Sequence, residues 1–466
     1  MTSEFEYITE RKHSVGVRTP LLPIEEDDEV AAEIIKTRGA SFHGSVFNLS
    51  CTVIGSGIMS LPATLKVLGL VPGVALIVIA AFLTDTSIEM LLRFSKPGLA
   101  FSYSDLMDDA FGKIGKILLQ ISVIINNIGC LIVYMIIIGH YLYSKIEDVL
   151  SGSTSSGVHN SGVLEEWCGE HWWTGRAFVL LVLTIVIFIP LICFQRIDSL
   201  RFTSAISITL AVIFLLVVIG ITIYKLITGS IEMPMWFPSI TNWTSFFKLF
   251  TAVPVVVFAY VCHFNDLAFS NAVHPIENEL EDSSDMRAIV LSSVALCATV
   301  YVMTGLFGFL LFGNSTLSDL LSNFDTDLGI PHSSPFNDII RLSYAGHIML
   351  VYPIVFFPLR LNLDGLLFPS AGPLTSDKMR FALISMGLIT ISLVGAIFIP
   401  TIWIAFEFTG ATVGVLIAYI FPASITLKDP HGIATKKDKI VSVFMIIGAV
   451  FSNVVAIYSD AYSLLE

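Results

Sequence analysis

Residues 48–62 read Asn48-Leu49-Ser50-Cys51-Thr52-Val53-Ile54-Gly55-Ser56-Gly57-Ile58-Met59-Ser60-Leu61-Pro62. The surrounding apolar stretch is long enough to cross a bilayer, which takes about 20 residues. Its centre is Gly-Ser-Gly, and glycine is among the residues least able to keep a helix regular. We therefore predict a first membrane span that is interrupted at residues 55–57.

An interruption at this depth needs a physical reason. Unwound backbone in hydrocarbon leaves N–H and C=O groups without partners, so it persists only where it is buried in protein or lines a cavity. Secondary transporters bind small solutes at such breaks. The alternative is that the glycines only allow a neighbouring helix to approach closely. The residues alone leave both interpretations open.

The composition indicates an all-α integral membrane protein. Of the 466 residues, 55% are hydrophobic and 14% charged, and the apolar residues form long blocks. Their lengths predict eleven transmembrane helices. These spans lie at about residues 45–69, 71–95, 115–144, 176–195, 202–227, 248–270, 287–312, 338–360, 379–398, 401–421 and 439–460.

Charge sets the expected orientation and excludes some functions. Lys and Arg are concentrated on one side of the spans, which predicts a cytosolic N-terminus. Residues 1–43 are expected to form an acidic, disordered cytosolic tail. The sequons at Asn242 and Asn314 then fall on the opposite side and are glycosylation candidates. The net charge of −13 argues against nucleic-acid binding, and no cysteine pair has metal-site spacing.

Polar side chains inside apolar spans are costly, so each is a candidate functional residue. An asparagine there can instead bond a neighbouring helix, and a buried histidine or carboxylate can have a purely structural role. Both interpretations stay open for the members of this set, which are Asn126, Asn127 and Tyr134 in the third span, His263 in the sixth, Ser343 and His347 in the eighth, and Glu407 in the tenth.

Several motifs, in order over most of residues 40–460, resemble the amino acid/auxin permease family. Within it the chain looks most like the plant vacuolar amino acid transporters, relatives of the sodium-coupled neutral amino acid transporters. The motifs are Phe47-Asn48-Leu49-Ser50, Ile54-Gly55-Ser56-Gly57-Ile58, Leu61-Pro62, Phe258-Ala259-Tyr260-Val261-Cys262-His263, Arg341-Leu342, Phe357-Pro358-Leu359-Arg360, Phe406-Glu407-Phe408-Thr409-Gly410-Ala411-Thr412 and Phe421-Pro422-Ala423.

The resemblance implies the LeuT-like fold, a 5+5 inverted repeat plus one helix. The first repeat would cover residues 44–228 and the second residues 247–422, with the eleventh helix at 437–460. Substrate would bind between the first and sixth helices, with coupling to an ion gradient. The sixth-helix break contains no glycine, so its prediction depends mainly on the resemblance.

The coupling ion is predicted from positions at which this chain departs from the pattern of its sodium-coupled relatives. Sodium-coupled relatives carry an asparagine where this chain has Cys51, and a thiol is a poor ligand for a hard cation. The eighth span also lacks the expected hydroxyl ligand, since it reads Ala345-Gly346-His347. We therefore expect a proton gradient rather than sodium, with Glu407, His347 and His263 as the candidate proton carriers and with no cofactor.

The substrate site is predicted in three parts. Backbone N–H groups around Gly55, Ser56 and Gly57 would bind the α-carboxylate, because a half-helix N-terminus suits an anion. The α-amino group would face carbonyls near Phe258, Ala259 and Tyr260. The side-chain pocket would be lined by Asn126 or Asn127, Tyr134, Ser343 and His347. Without Arg or Lys at these depths, a small neutral amino acid is expected.

Three classes of function compete. The favoured one is a secondary active transporter of amino acids, a symporter or antiporter, acting as a monomer in a lipid bilayer. The second is a transceptor, an amino-acid-sensing receptor with little net flux. The third, an intramembrane enzyme, is disfavoured because no catalytic motif is present. The resemblance favours the vacuolar membrane, with the endoplasmic reticulum and plasma membrane as alternatives.

Overall fold

The structure is a computed structural model that describes residues 42–98, 102–142, 171, 173, 176–194, 201–231, 233–263, 286–325, 328–331, 333–399 and 409–463. Within these ranges the chain is mostly helical. Nearly all of the predicted tail, residues 1–43, lies outside them, as does Glu407. Phe42 and His43, the last two residues of that interval, begin the first helix.

The helices are named in chain order. They are α1 (Phe42–Val53), α2 (Leu61–Leu68), α3 (Leu70–Gly98), α4 (Tyr103–Leu142), α5 (Arg176–Leu183), α6 (Ile189–Ile192), α7 (Arg201–Ile227), α8 (Trp243–Lys248), α9 (Ala252–Ala259), α10 (Met286–Phe312), α11 (Ser333–Leu367), α12 (Lys378–Phe398), α13 (Phe421–Lys428) and α14 (Lys436–Ser463). Wider π-helical turns, Thr184–Phe188 and Gly410–Gly414 with Leu416–Ile420, precede α6 and α13.

Membrane-spanning helices dominate the described chain. Seven of its helices are long and apolar enough to cross a bilayer, or eight if the bent pair α1 and α2 forms one span. Three shorter apolar segments, at Ala177–Ile192, Trp243–Ala259 and Thr412–Lys428, overlap parts of the predicted fourth, sixth and tenth spans. A mostly helical, multi-pass membrane protein is therefore confirmed, while the count of eleven spans stays a prediction.

The first span is broken, as the Gly-Ser-Gly sequence predicts. Helix α1 ends at Val53, a short 3-10 turn covers Ser56–Ser60, and α2 follows at an angle of 50° to α1. Pro62 occupies the first turn of α2, where its missing N–H is tolerated. The break is fully buried, so protein rather than lipid surrounds its irregular backbone.

The sixth span also loses its regular helix. Helix α9 ends at Ala259, and Tyr260 leaves helical geometry with φ −98° and ψ 1°. The chain tightens here, because the N–H groups of Tyr260 and Val261 donate to the carbonyls three residues earlier, at 3.0 Å and 3.2 Å. Beyond His263 the continuation, including Asn265 and Asp266, lies outside the described residues.

The core that holds these breaks is formed by α4, α7, α10 and α11. Large side chains with no exposed surface, such as Phe214 of α7 and Tyr344 of α11, pack ring against ring at 5.2 Å. Helices α12 and α14 instead expose many apolar side chains, including Phe398 and Phe444. In a membrane such outward apolar faces meet lipid.

One end of the bundle gathers the turn after α2 and two connecting segments. The N–H groups of Leu70 and Val71 donate to carbonyls of the 230–241 segment at 3.0 Å and 3.1 Å. Lys66 donates to the carbonyl oxygen of Thr316 at 2.9 Å. Asn242, at the start of α8, and Asn314, after α10, are both exposed near these contacts. The two sequons therefore lie at the same end of the bundle.

This arrangement gives a test of orientation. If the N-terminus is cytosolic, protein made in microsomes is glycosylated at Asn242 and Asn314, because both then face the lumen. Asn242→Gln and Asn314→Gln each remove one glycan, measured as a gel shift abolished by glycosidase. Asn48→Gln is the matched control, since Asn48 is a sequon residue buried inside α1. A protein without glycan at both sites would contradict the orientation.

Candidate functional site

The two helix breaks meet at van der Waals contact. A methyl group added to Gly57 would lie 2.7 Å from both the Cα and Cβ atoms of Ala259. A methyl group added to Gly55 would collide with the hydroxyl oxygen of Tyr134. The glycines thus permit close approach of a neighbouring helix as well as unwinding of the first span.

A small cavity lies between the breaks. Its volume of about 20 Å³ is room for roughly one water and is far too small for an amino acid. Binding a larger solute therefore requires the surrounding helices to separate. The cavity is lined by Thr52, Val53, Gly55, Ser56, Gly57, Asn126, Cys130, Tyr134, Phe258, Ala259, Val261 and Val355.

Three residues of the cavity lining, Gly55, Ser56 and Gly57, have backbone donors that are not used by other described residues. The N–H groups of Gly55, Ser56 and Gly57 make no hydrogen bond within the described part of the chain. They stand at the start of the 3-10 turn that leads into α2, where successive N–H groups point toward the chain's N-terminal side. Unpaired N–H groups at a helix start favour a bound anion.

Unlike these N–H groups, the carbonyl groups of the same break form hydrogen bonds with side chains from other helices. The Tyr344 hydroxyl donates to the Gly55 oxygen at 2.7 Å. The Nε2 atom of His347 lies 2.8 Å from the Ile54 oxygen. The Tyr301 hydroxyl donates to the Val53 oxygen. The break therefore presents free donors and occupied acceptors.

His347 joins three helices at this point. Its Nδ1 atom lies 2.9 Å from the Ser207 carbonyl oxygen and 2.8 Å from the Ser207 hydroxyl, both in α7. The same hydroxyl lies 3.0 Å from the His347 carbonyl oxygen, to which it can donate. Because a carbonyl oxygen only accepts, an imidazole that bonds both Ser207 and Ile54 carbonyls carries a proton on each nitrogen. A neutral imidazole needs the Ser207 hydroxyl as the donor to Nδ1.

The two asparagines of α4 have different surroundings in the structure. Asn126 lines the cavity, and its buried Oδ1 atom has no hydrogen-bond partner among the described residues. Its Nδ2 atom donates at 3.0 Å to Asn127, whose own Nδ2 donates to the Val355 oxygen at 3.4 Å. Asn127 is away from the cavity lining and orients Asn126.

The other predicted site residues fall into two groups. Tyr134, Phe258 and Ala259 line the cavity. The remaining ones do not: the Ser343 hydroxyl donates within α11 to Ile340, Tyr260 packs its ring on Tyr301, His263 bonds Ser87 of α3 at 2.7 Å, and both nitrogens of His347 are occupied. Ser343 and His347 are predicted from the sequence to line the pocket, but neither is among the cavity-lining residues. Their polar side-chain atoms form hydrogen bonds with other protein groups instead.

Sequence reasoning missed several residues around the breaks. Tyr301, Tyr344 and Ser207 lie in apolar helices, where a tyrosine or serine is common and carries no periodic signal. Cys130 lines the cavity one helical turn before Tyr134. A one-turn spacing from two predicted residues, Asn126 and Tyr134, could have identified Cys130, because residues four apart share a helix face.

Comparison with known proteins gives a consistent family. The family model for transmembrane amino acid transporter proteins matches residues 38–464. Amino acid transporter AVT6A of Arabidopsis thaliana is 57% identical over 453 residues, covering 97% of this chain and 95% of its own. Amino acid transporter AVT6B of the same plant is 58% identical over 430 residues, covering 92% and 91%.

A solved structure is similar in fold. It is the substrate-bound, outward-open state of a Na⁺-coupled sialic acid symporter, with a TM-score of 0.52. The match covers 91% of this chain and 92% of the symporter at 13% identity. At that identity the likeness concerns the fold alone.

The close contact at Gly57 gives a mutational prediction. Gly57→Val inserts a branched side chain against the Ala259 backbone, which cannot move aside as a flexible side chain can. We expect amino acid affinity to fall by more than about tenfold, the equivalent of about 1.4 kcal/mol. The measurement is equilibrium binding of radiolabelled amino acids to purified protein in detergent.

Gly220→Val is the matched control. Gly220 also lies inside a membrane helix, α7, but a Cβ there meets no atom within 4 Å. Both variants should insert and elute as single species on size exclusion. Full substrate affinity in Gly57→Val would show that the substrate does not bind between these breaks.

Proposed function

Since this chain belongs to the family of transmembrane amino acid transporters, we propose that it is a secondary active transporter that binds an amino acid between the breaks of its first and sixth spans. As a member of that family it is not an enzyme.

The separation of donors from acceptors at the first break is the observation that carries the proposal. Three adjacent N–H groups, those of Gly55, Ser56 and Gly57, remain available while the neighbouring carbonyls are bonded by side chains. An α-carboxylate supplies the two acceptor oxygens that such a cluster of donors needs. The α-amino group would face the carbonyls near Phe258, Ala259 and Tyr260.

The substrate's side chain would then extend toward α4. Asn126 and Tyr134 line that side of the cavity, and Asn127 holds Asn126 in place. The lining residues include no Lys or Arg. A small neutral amino acid is therefore the substrate class that fits best, because an acidic side chain would be buried without a counter-charge.

We propose coupling to a proton gradient, with His347 and Glu407 as the carriers and His263 as a further candidate. Support for His347 comes from its two carbonyl neighbours, at 2.9 Å and 2.8 Å, each of which can accept a hydrogen bond from a protonated ring nitrogen. On loss of a proton, the Ser207 hydroxyl can turn to Nδ1. Protonation would then change how strongly α11 and α7 hold the first break. Glu407 lies outside the described residues.

Sodium coupling is less well supported. A sodium site at the first break would use backbone carbonyl oxygens, the ligands that hard cations prefer. The oxygens of Val53, Ile54 and Gly55 already accept hydrogen bonds from Tyr301, His347 and Tyr344, respectively. Cys51, at the position where sodium-coupled relatives have asparagine, is fully buried.

The wider assignment follows the family. We propose eleven spans, with inverted repeats at 44–228 and 247–422, an eleventh helix at 437–460 and a cytosolic N-terminus. The fold likeness to the symporter, with a TM-score of 0.52, supports the repeat arrangement. The resemblance to plant vacuolar amino acid transporters supports the vacuolar membrane as its location. The protein would act as a monomer.

Reconstituted flux tests the coupling. Purified protein in liposomes should accumulate radiolabelled amino acid when an inward pH gradient is imposed, and far less without it. His347→Ala and Glu407→Gln should each abolish pH-driven accumulation while leaving exchange of internal and external substrate. His431→Ala is the control, because His431 pairs with Asp109 at 2.6 Å, away from the breaks.

Different outcomes contradict different parts of this proposal. A wild type that needs sodium and ignores pH would exclude proton coupling. Full pH-driven accumulation in Glu407→Gln would exclude Glu407 as the carrier. Saturable binding without any flux, across a panel of amino acids, would favour the amino-acid-sensing receptor over the transporter.

Acidic substrates test the pocket separately. Aspartate and glutamate would need a protonated histidine close to the cavity as counter-charge, because the described lining residues include no cationic side chain. The double variant His263→Ala with His347→Ala should therefore lose any transport of acidic amino acids. Acidic transport that persists in this variant would show that the pocket is elsewhere.

A further inference from the structure

Tyr301 connects the two helix breaks through one hydroxyl group. Its side chain projects from α10 and has no exposed surface. The hydroxyl lies 2.7 Å from the Ala259 carbonyl oxygen and also within hydrogen-bond distance of the Val53 carbonyl oxygen. Val53 is the last residue of α1 and Ala259 is the last residue of α9. The hydroxyl therefore bridges the carbonyl ends of both interrupted helices.

This bridge has one hydrogen-bond donor for two acceptors. A phenol has a single O–H donor, and each of the two carbonyl oxygens needs a donor. Both oxygens belong to buried residues, where an unsatisfied acceptor is costly. The two helix C-terminal ends also bring partial negative charge to the same point, a place that favours a cation.

We propose that the Tyr301 hydroxyl stands in for the ammonium group of the transported amino acid. In the closed site its one proton is shared between the Val53 and Ala259 oxygens. An arriving ammonium, with three donors and a positive charge, takes over one or both carbonyls. Tyr301 is thus a positioning residue that keeps the two breaks joined. This inference rests on the proposed binding of an amino acid between the breaks.

Removal of the Tyr301 hydroxyl should strengthen amino acid binding. Tyr301→Phe keeps the ring, including its edge contact with Tyr260 at 4.9 Å, and removes only the hydroxyl. Both carbonyls then lack a donor in the substrate-free protein, whereas a bound ammonium still supplies donors to both. The substrate-free state loses more than the bound state. Amino acid affinity should therefore rise by about tenfold, and the substrate-free protein should melt at a lower temperature.

Paired ligands isolate the ammonium group. L-alanine with L-lactate and L-aspartate with L-malate differ only in an ammonium or a hydroxyl on the α-carbon, and they cover a neutral and an acidic side chain. A hydroxyl offers one donor and no charge. Tyr301→Phe should tighten binding of the amino acid in the pair that binds and change the affinity of its hydroxy acid by less than about twofold.

Tyr344→Phe is the matched control. It removes a hydroxyl from the same region, but that hydroxyl donates to a single carbonyl, the Gly55 oxygen, and forms no hydrogen bond with α9 within the described chain. It should lower the melting temperature without tightening amino acid binding. Measurements use the full chain in lipid nanodiscs, with equilibrium binding and thermal unfolding recorded for wild type and both variants.

The outcomes separate this inference from the proposed function. Weaker binding of the amino acid and the hydroxy acid alike in Tyr301→Phe would assign Tyr301 a structural role only and overturn the inference. So would equal tightening in Tyr344→Phe. If amino acid binding survives in Gly57→Val, the binding site itself is elsewhere and the proposed function fails. If binding is lost in Gly57→Val and unchanged in Tyr301→Phe, only this inference fails.

Discussion

The need to satisfy buried backbone carbonyls is the constraint on which the site depends. Each carbonyl from Val53 to Gly55 would be costly in a bilayer, and each is bonded by a side chain from a different position on α10 or α11. These bonds explain why the irregular segment is stable where a regular helix would need no help. They also fix the identity of several residues outside the first span, since only a donor at Tyr301, Tyr344 and His347 can fulfil this role.

The same bonds divide the contacts of the first span between two groups of helices. Tyr301 ties the end of α1 to α10 and to the end of α9, whereas Tyr344 and His347 tie the next two residues to α11, and Ser207 extends this link to α7. In the proposed transport cycle, opening the cavity of about 20 Å³ would break one set of bonds while the other remains. Under the proposed function, protonation of His347 and binding of the substrate would therefore act on neighbouring peptide groups of the first break.

Local sequence predicts the parts of this structure that depend on local chemistry. Gly55-Ser56-Gly57 identifies the first break because the residues that unwind a helix are themselves in it. The break after Ala259 has no such signal, since Val257–Val261 is apolar and contains no glycine, and its partner Tyr301 is distant in sequence. For the same reason the sequence does not separate Asn126 from Asn127, which differ only in the helix face each presents, or predict that Ser343 bonds its own helix.

The close contact between Gly57 and Ala259, with the carbonyls bonded by the chain's own tyrosines and histidine, has a kinetic consequence. A closed conformation that is held by internal hydrogen bonds does not depend on cargo for its stability. Under the proposed function, such a carrier would reorient across the membrane unloaded, so that each cycle would deliver solute in one direction instead of exchanging one molecule for another. Obligatory exchange would instead require a closed conformation that is stable only with substrate bound.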